Sequence, residues 1–314
     1  MNRQRVIVKV LAAVCALWSS LGSIAIAQVG DGPRAYQTLP KDTRVLSQFY
    51  IGTRGNLTPA SGIIPRDAEL DMDLGITQYS QALEINGRQA GVLAYLPYGD
   101  ISGSLTLGGA SQSASTSGFS DLTVGVAYGL LNTPNLAFED YVKFDPGLSI
   151  TGLAKLTLPT GSYNGSKALN MGGNRYALQL GLPVAYYLGS SFLDPTLTSF
   201  EILPKVTLFG ENDEPSGGGG ELEQDPLLTI EAHLTRNFGQ AFWMSLDAFY
   251  SYGGETATDG VEADNKQRSL SLGGTGSLNL SRSTSLKVTY GEVVSGNADG
   301  ADGHMVRVQL LYLF

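Results

Sequence analysis

From residue 44 onward, hydrophobic and polar residues alternate with a period of two. Leu70, Met72, Leu74 and Ile76 alternate with Asp71, Asp73, Gly75 and Thr77. Leu122, Val124, Val126 and Tyr128 alternate with Asp121, Thr123, Gly125 and Ala127. Leu148, Ile150, Leu156 and Leu158 share one face, and Ser149, Thr151, Lys155 and Thr157 the other. Ile230 and Leu234 stand against Glu231, His233 and Thr235; Leu286, Val288 and Tyr290 stand against Lys287, Thr289 and Gly291. Successive side chains on a strand point to opposite faces, so each run predicts a strand with one apolar face. No segment carries a helical stripe. The runs predict about twelve strands, each near the length that crosses a bilayer at a tilt. They lie near 44–54, 69–83, 89–98, 120–131, 146–158, 176–188, 200–210, 227–237, 241–252, 269–280, 285–294 and 305–314. The stretch 101–108 also reads as strand, so the third strand is expected to continue past Pro97, with a bulge there.

The connections fall into two sets. Asn86-Gly87, Phe238-Gly239-Gln240 and Arg282-Ser283-Thr284 are short, whereas 109–119, 159–175, 211–226, 253–268 and 295–304 are long and polar. Transmembrane barrels have short periplasmic turns and long external loops. Two inner connections, near 132–145 and 189–199, are longer than that pattern requires. The loop 211–226 holds Glu211, Asp213, Glu214, Glu221, Glu223 and Asp225 and no basic residue, which suits a solvated external loop. Divalent-cation binding there is the alternative, but no loop has EF-hand spacing.

The first residues have a different character. Arg3, Arg5 and Lys9 precede an apolar stretch from Val10 to Leu21, and Ala25-Ile26-Ala27 supplies small residues before Gln28. Residues 1–27 are therefore expected to be a cleavable signal peptide. Its removal takes away Cys15, the one cysteine, so the mature chain has no thiol or disulfide chemistry. It also removes three basic residues and no acidic one, leaving 17 against 29 and a net charge of −12 in place of −9. Such a chain repels phosphate backbones, which argues against nucleic-acid binding.

Only 16% of residues are charged, yet no apolar run of helical-span length follows Leu21. Alternating strands in a membrane produce this average, because lipid-facing and lumen-facing residues cancel. At the C-terminus, Val306, Val308, Leu310, Tyr312 and Phe314 alternate up to the final aromatic residue. Such a strand resembles the insertion signal of bacterial outer-membrane barrels, which implies the barrel-assembly machinery and outer-membrane lipids as partners. Tyr50, Tyr128, Phe209, Trp243, Tyr250, Tyr252, Tyr290, Tyr312 and Phe314 fall near strand ends and are expected in interfacial girdles. The fold expected is all-β: an antiparallel transmembrane β-barrel of about twelve strands over 44–314, preceded by a periplasmic segment at 28–43.

Candidate chemistry is sparse. His233 and His304 are the only histidines, no G-x-S-x-G elbow is present, and neither a catalytic nor a metal site is expected. No cofactor is implied. Charges are costly against lipid, so Asp71, Asp73, Asp121, Lys155, Lys205, Glu231, His233, Lys287 and Arg307 are expected to face the lumen. There they form either a rigidifying network or a constriction that selects small-molecule permeants. About twelve strands leave a narrow passage, between the filled interior of eight and the aqueous channel of sixteen or more.

Several segments add a resemblance. Gly32-Pro33-Arg34-Ala35-Tyr36-Gln37-Thr38-Leu39-Pro40 is followed in order by Ser120-Asp121-Leu122-Thr123-Val124-Gly125 and Leu158-Pro159-Thr160-Gly161-Ser162-Tyr163. Asn170-Met171-Gly172-Gly173-Asn174-Arg175-Tyr176 and Tyr252-Gly253-Gly254-Glu255-Thr256 complete the set. The chain resembles the outer-membrane "MetA-pathway of phenol degradation" transporter family over nearly all of its mature length. The resemblance implies a Gram-negative outer-membrane barrel associated with aromatic-compound degradation and uptake of small, aromatic or hydrophobic solutes. It carries over no catalytic residues, and the acidic Gly-rich stretch at 211–226 departs from the family pattern. A structural or surface-interaction barrel is the alternative, and a barrel hydrolase built on His233 a more distant one.

Overall fold

The computed structural model describes residues 30–56, 68–107, 110–216 and 220–314; the leader expected at 1–27 lies outside them. The alternating runs form β1 (Arg44–Gly55), β2 (Glu69–Ile85), β3 (Arg88–Leu107), β5 (Thr123–Leu131) and β6 (Leu148–Thr157), whereas the stretch expected as a loop at 109–119 instead folds back on β3 as β4 (Ala110–Phe119). Next come β7 (Ala177–Gly181), β8 (Val184–Leu188), β9 (Thr198–Phe209), β10 (Leu222–Gln224), β11 (Leu227–Asn237) and β12 (Phe242–Gly253). The chain ends with β13 (Thr256–Thr258), β14 (Val261–Glu262), β15 (Gln267–Asn279), β16 (Thr284–Gly296) and β17 (Gly303–Leu313).

Among the described residues, twelve strands close into an antiparallel barrel, with β7 and β8 serving as one interrupted strand and β4, β10, β13 and β14 outside the count. Closure is direct: β17 returns to β1, with Val45 opposite Leu313 and Gly55 opposite Gly303. A closed ladder satisfies the backbone N–H and C=O groups inside the wall, which lipid cannot do. Asn86 and Gly87 turn β2 into β3 with φ of 53° and 74°, the left-handed pair that a tight hairpin demands.

Prolines mark the irregularities. The register of β3 against β2 runs without a shift through Pro97, opposite Ile76, so the expected bulge is absent. On its other edge β3 changes partner there, from β5 up to Tyr95 to β4 from Tyr98 onward. The missing proline N–H therefore falls where no ladder bond is required. The single run expected at 176–188 is broken at Leu182-Pro183, where the Leu182 N–H donates to Pro204 O at 3.0 Å.

The two faces of the wall separate as the alternation implies. Val126, Phe200, Ile202, Leu246, Leu272, Val288 and Leu310 are exposed on the outside. On the alternate positions, Lys155, Lys205, Thr229, Glu231, His233, Thr235, Ser245, Ser251, Ser269, Ser271, Thr275 and Arg307 are buried inside. An apolar outside and a polar inside reverse the arrangement of a soluble domain and fit a wall standing in lipid. Tyr50, Tyr252, Tyr312 and Phe314 are exposed as a girdle requires, but Trp243 is buried and faces the lumen.

Both ends of the lumen are filled. On the periplasmic side the two long inner connections pack together: Tyr141, on a single helical turn at Phe138–Tyr141, meets Tyr187, Phe192 and Leu197 in an apolar floor. On the external side Leu169 and Met171, from the loop after β6, pack with Ile51, Leu70, Met72, Leu74 and Ile101 in an apolar cork. Asp121 holds that loop in place. Its carboxylate accepts the Gly161 N–H at 2.8 Å and the Gly173 N–H at 2.7 Å. Burial pushes its pKa up, against the pull of these backbone hydrogen bonds. The acidic stretch at 211–226 is ordered at its end by β10, which pairs with β13, itself paired with β14, in a small external sheet.

Two outcomes follow from this architecture. Leu246→Arg puts a charge on the lipid face and is expected to lower stability by about 2 kcal/mol, measured by urea unfolding in lipid vesicles. Asp121→Ala is expected to free the 158–176 loop, seen as protease cleavage there in intact cells, while the barrel keeps its heat-modifiable gel mobility.

Candidate functional site

The lumen is crossed by the N-terminal segment rather than by side chains alone. Residues 28–43 are expected to be periplasmic, yet Gly30 to Leu39 run inside the barrel, from the charged ring at mid-height to the periplasmic rim. At that rim the Leu39 N–H donates to Gln89 Oε1 at 3.0 Å and the Lys41 N–H to Leu136 O at 2.7 Å. The tip is Gly30-Asp31-Gly32. A Cβ on Gly30 would lie 2.4 Å from Glu231 Oε2, and one on Gly32 would lie 2.2 Å from Arg307 Nη2. Gly32 also has φ of 86°. Only glycine allows the backbone to approach both charged groups this closely.

A ring of lumen charges grips the tip. The Asp31 carboxylate pairs with Lys155 and, at 3.1 Å, with Lys205, which also pairs with Glu231. Glu231 accepts the backbone N–H groups of Asp31 and Gly32, both at 3.0 Å. Tyr36 Oη donates to Asp31 at 3.0 Å. Arg34 donates to Thr235 Oγ1 at 2.7 Å and to Asn237 Oδ1 at 2.8 Å, and its guanidinium stacks 4.5 Å from the Trp243 ring centre. Its own N–H donates to Glu201 at 2.8 Å. Arg307 donates to Gly30 O at 2.7 Å, and Lys287 to Pro33 O at 3.3 Å. Charges removed from water are costly unless paired and hydrogen-bonded, and each partner lost leaves another charge uncompensated.

His233 supports this ring. Its Nδ1 lies 2.7 Å from Asp247 Oδ1, and its Nε2 lies 3.5 Å from Glu231 Oε2. Asp247 also accepts hydroxyl bonds from Ser245 and Thr275, both at 2.7 Å. An imidazole between two carboxylates holds both acids in position. A hydrolytic triad would need a hydroxyl bonded to Nε2, and that nitrogen faces Glu231 instead.

Of the expected lumen residues, Lys155, Lys205, Glu231, His233, Lys287 and Arg307 therefore converge on one segment. Asp121 does not join them; it anchors the external loop. Asp71 and Asp73 correct the expectation. They point outward near the external rim, where Arg54 lies 3.2 Å from Asp71 and 3.3 Å from Asp73, and Tyr50 bonds Asp73. The alternate residues Leu70, Met72 and Leu74 turn inward to the cork. Above the lipid the outside is wet, so the polar and apolar faces exchange places without any change in alternation.

Sequence reading missed Asp31, Arg34 and Asp247. Asp247 shares its face with Ser245 and Ser251, so strand parity could have found it. Asp31 and Arg34 lie in a segment with no period. Their signal is the Gly-Asp-Gly-Pro-Arg run, which has flanking glycines but nothing that names its partners.

Beside the segment lies a cavity of about 580 Å³. Its lining includes Phe49, Ile51, Ile76, Gln78, Lys287 and Arg307, and it reaches Ala82 and Leu313 near the periplasmic rim. It is large enough for a small solute and combines apolar wall with a few polar groups, as ligand sites do.

Among solved structures the chain is similar to the COG4313 outer membrane channel from Pseudomonas putida F1. The two are 19% identical over 91% of this chain and 100% of that one, with a TM-score of 0.74. It is also similar to the translocator domain of the autotransporter NalP from Neisseria meningitidis, at 12% identity over 99% and 96% of the chains and a TM-score of 0.48, which adds no weight. At these identities the likeness is one of fold. No curated protein matches the chain. The lipid-facing wall and the closed barrel put the protein in the outer membrane of a Gram-negative bacterium. A family model described as "Putative MetA-pathway of phenol degradation" matches residues 53–301, four-fifths of the chain, and the protein belongs to that family.

Proposed function

We propose that this barrel passes small aromatic or hydrophobic solutes across the outer membrane, with its N-terminal segment as the gate. The cavity of about 580 Å³ beside that segment carries the reading. A barrel serving only as a wall gains nothing from an internal space with an apolar side and a charged side. The family description, which names phenol degradation, supports the aromatic class of solute. Inside the lumen the segment is held only by hydrogen bonds and ion pairs, and its one covalent tie to the wall is the chain running into β1 at the periplasmic rim, so it can leave without opening the barrel.

The filled lumen also suits the second reading, a sealed structural barrel. The two differ in what happens when the segment is removed. In planar bilayers, deletion of residues 30–38 is expected to raise single-channel conductance several-fold over the full-length protein. Gly32→Val, which drives a side chain into Arg307, is expected to reproduce part of that gain. Liposomes carrying either form should take up a small neutral aromatic alcohol faster than empty liposomes. A barrel that folds but admits neither ions nor solute in either form would favour the sealed reading.

A further inference from the structure

The lumen cations are not equally satisfied. Lys155 and Lys205 pair with carboxylates, and Arg34 is surrounded by hydroxyl and amide oxygens and an aromatic face. Among the described residues, Lys287 and Arg307 form no ion pair. The hydrogen bonds they donate go to two neutral backbone carbonyls, Pro33 O and Gly30 O. The acids of the ring are already engaged: Asp31 and Glu231 by lysines, Asp247 by His233, and Glu201 by the Arg34 N–H and the Ser199 hydroxyl. The chain as a whole carries a net charge of −9, yet two cations that form no ion pair among the described residues line its internal cavity.

Strand register puts these cations beside apolar wall. Lys287 stands opposite Gln309, Gln309 opposite Phe49, and Phe49 opposite Ile76. In the next inward row Arg307 stands opposite Ile51. All six residues line the cavity. Two cations, an amide and three apolar side chains on four adjacent strands make a surface with a charged end and a greasy end.

We infer that this surface binds the carboxylate of an aromatic or short aliphatic monoacid, with the anion on Lys287 and Arg307 and the hydrocarbon body against Phe49, Ile51 and Ile76. The inference rests on the passage reading for its biological use but not for its test. A carboxylate is a stronger acceptor for these cations than a peptide carbonyl. It therefore competes with Pro33 O and Gly30 O, the two bonds by which the cations hold the tip of the N-terminal segment. Occupancy of the site loosens the gate, so binding and opening are coupled.

Trp243 reports on the site. It is the single tryptophan in residues 28–314, and Lys287 Nζ lies 5.3 Å from its ring centre. In detergent-solubilised mature protein, benzoate is expected to change Trp243 emission saturably, whereas benzyl alcohol at equal concentration has a much weaker effect. Lys287→Gln and Arg307→Gln, each checked for folding by heat-modifiable mobility, should weaken benzoate binding at least tenfold and leave benzyl alcohol unaffected. Equal responses to the acid and the alcohol, or unchanged benzoate affinity in both variants, overturn the site. Liposome uptake separates the two proposals. Saturable benzoate binding without uptake of either probe sinks the passage reading and keeps the site. Equal uptake of both probes with no charge-dependent binding does the reverse.

Discussion

Lipid offers no hydrogen bonds, and the rest of this structure depends on that constraint. The twelve barrel strands of the described residues must pair around a full circle so that the backbone of the wall is satisfied within itself. Closure forces each strand to present one face to lipid and the other to the interior, with no choice of packing against a second sheet. Leu246 and Leu272 are therefore exposed outside, while Ser271 and Thr275 are buried inside. Irregularities are tolerated only where the ladder can spare a bond. Pro97 sits where β3 changes neighbours, and Pro183 sits where one strand breaks in two.

A closed wall creates a second problem, because its interior carries charges that water must hydrate or other groups must compensate. This chain compensates much of that charge with its own N-terminal segment. Asp31 supplies the carboxylate that Lys155 and Lys205 require, and the backbone of Gly30 to Pro33 supplies donors to Glu231 and acceptors to Arg307 and Lys287. The segment and the ring thus stabilise each other, and the segment's departure would leave several charges in need of water or of a solute. In the proposed passage, that exchange would reconcile a plug with transport, since the groups that hold the segment are those the proposed anionic solute would engage.

The distribution of charge is as telling as its amount. Acidic residues of the 211–226 loop lie on the external side, where water screens them. The cations lie inside the barrel, where Lys155, Lys205 and Arg307 are buried and Lys287 is half-buried beside the cavity, below the apolar cork. On the proposed reading, selectivity resides in the lumen and not at the entrance.

Much of this was legible in the chain. Period-two alternation determined the strands, their approximate ends and, for the β6, β11, β16 and β17 regions, which residues face inward. The reason is local: the pleat is a property of each strand, independent of its neighbours. Lys155, Glu231, His233, Lys287 and Arg307 were accordingly found from parity alone. What alternation cannot state is which side of the wall is wet at a given height. Asp71 and Asp73 obey the same parity and face outward, because the 158–176 loop fills the lumen there with Leu169 and Met171. Nor could it reveal that Gly30-Asp31-Gly32 enters the barrel. That segment has no period, and its partners lie up to 277 residues away. The sequence by itself determined a membrane barrel with a charged interior; only the tertiary structure decided what those charges hold, because that depends on contacts made across the closed ring.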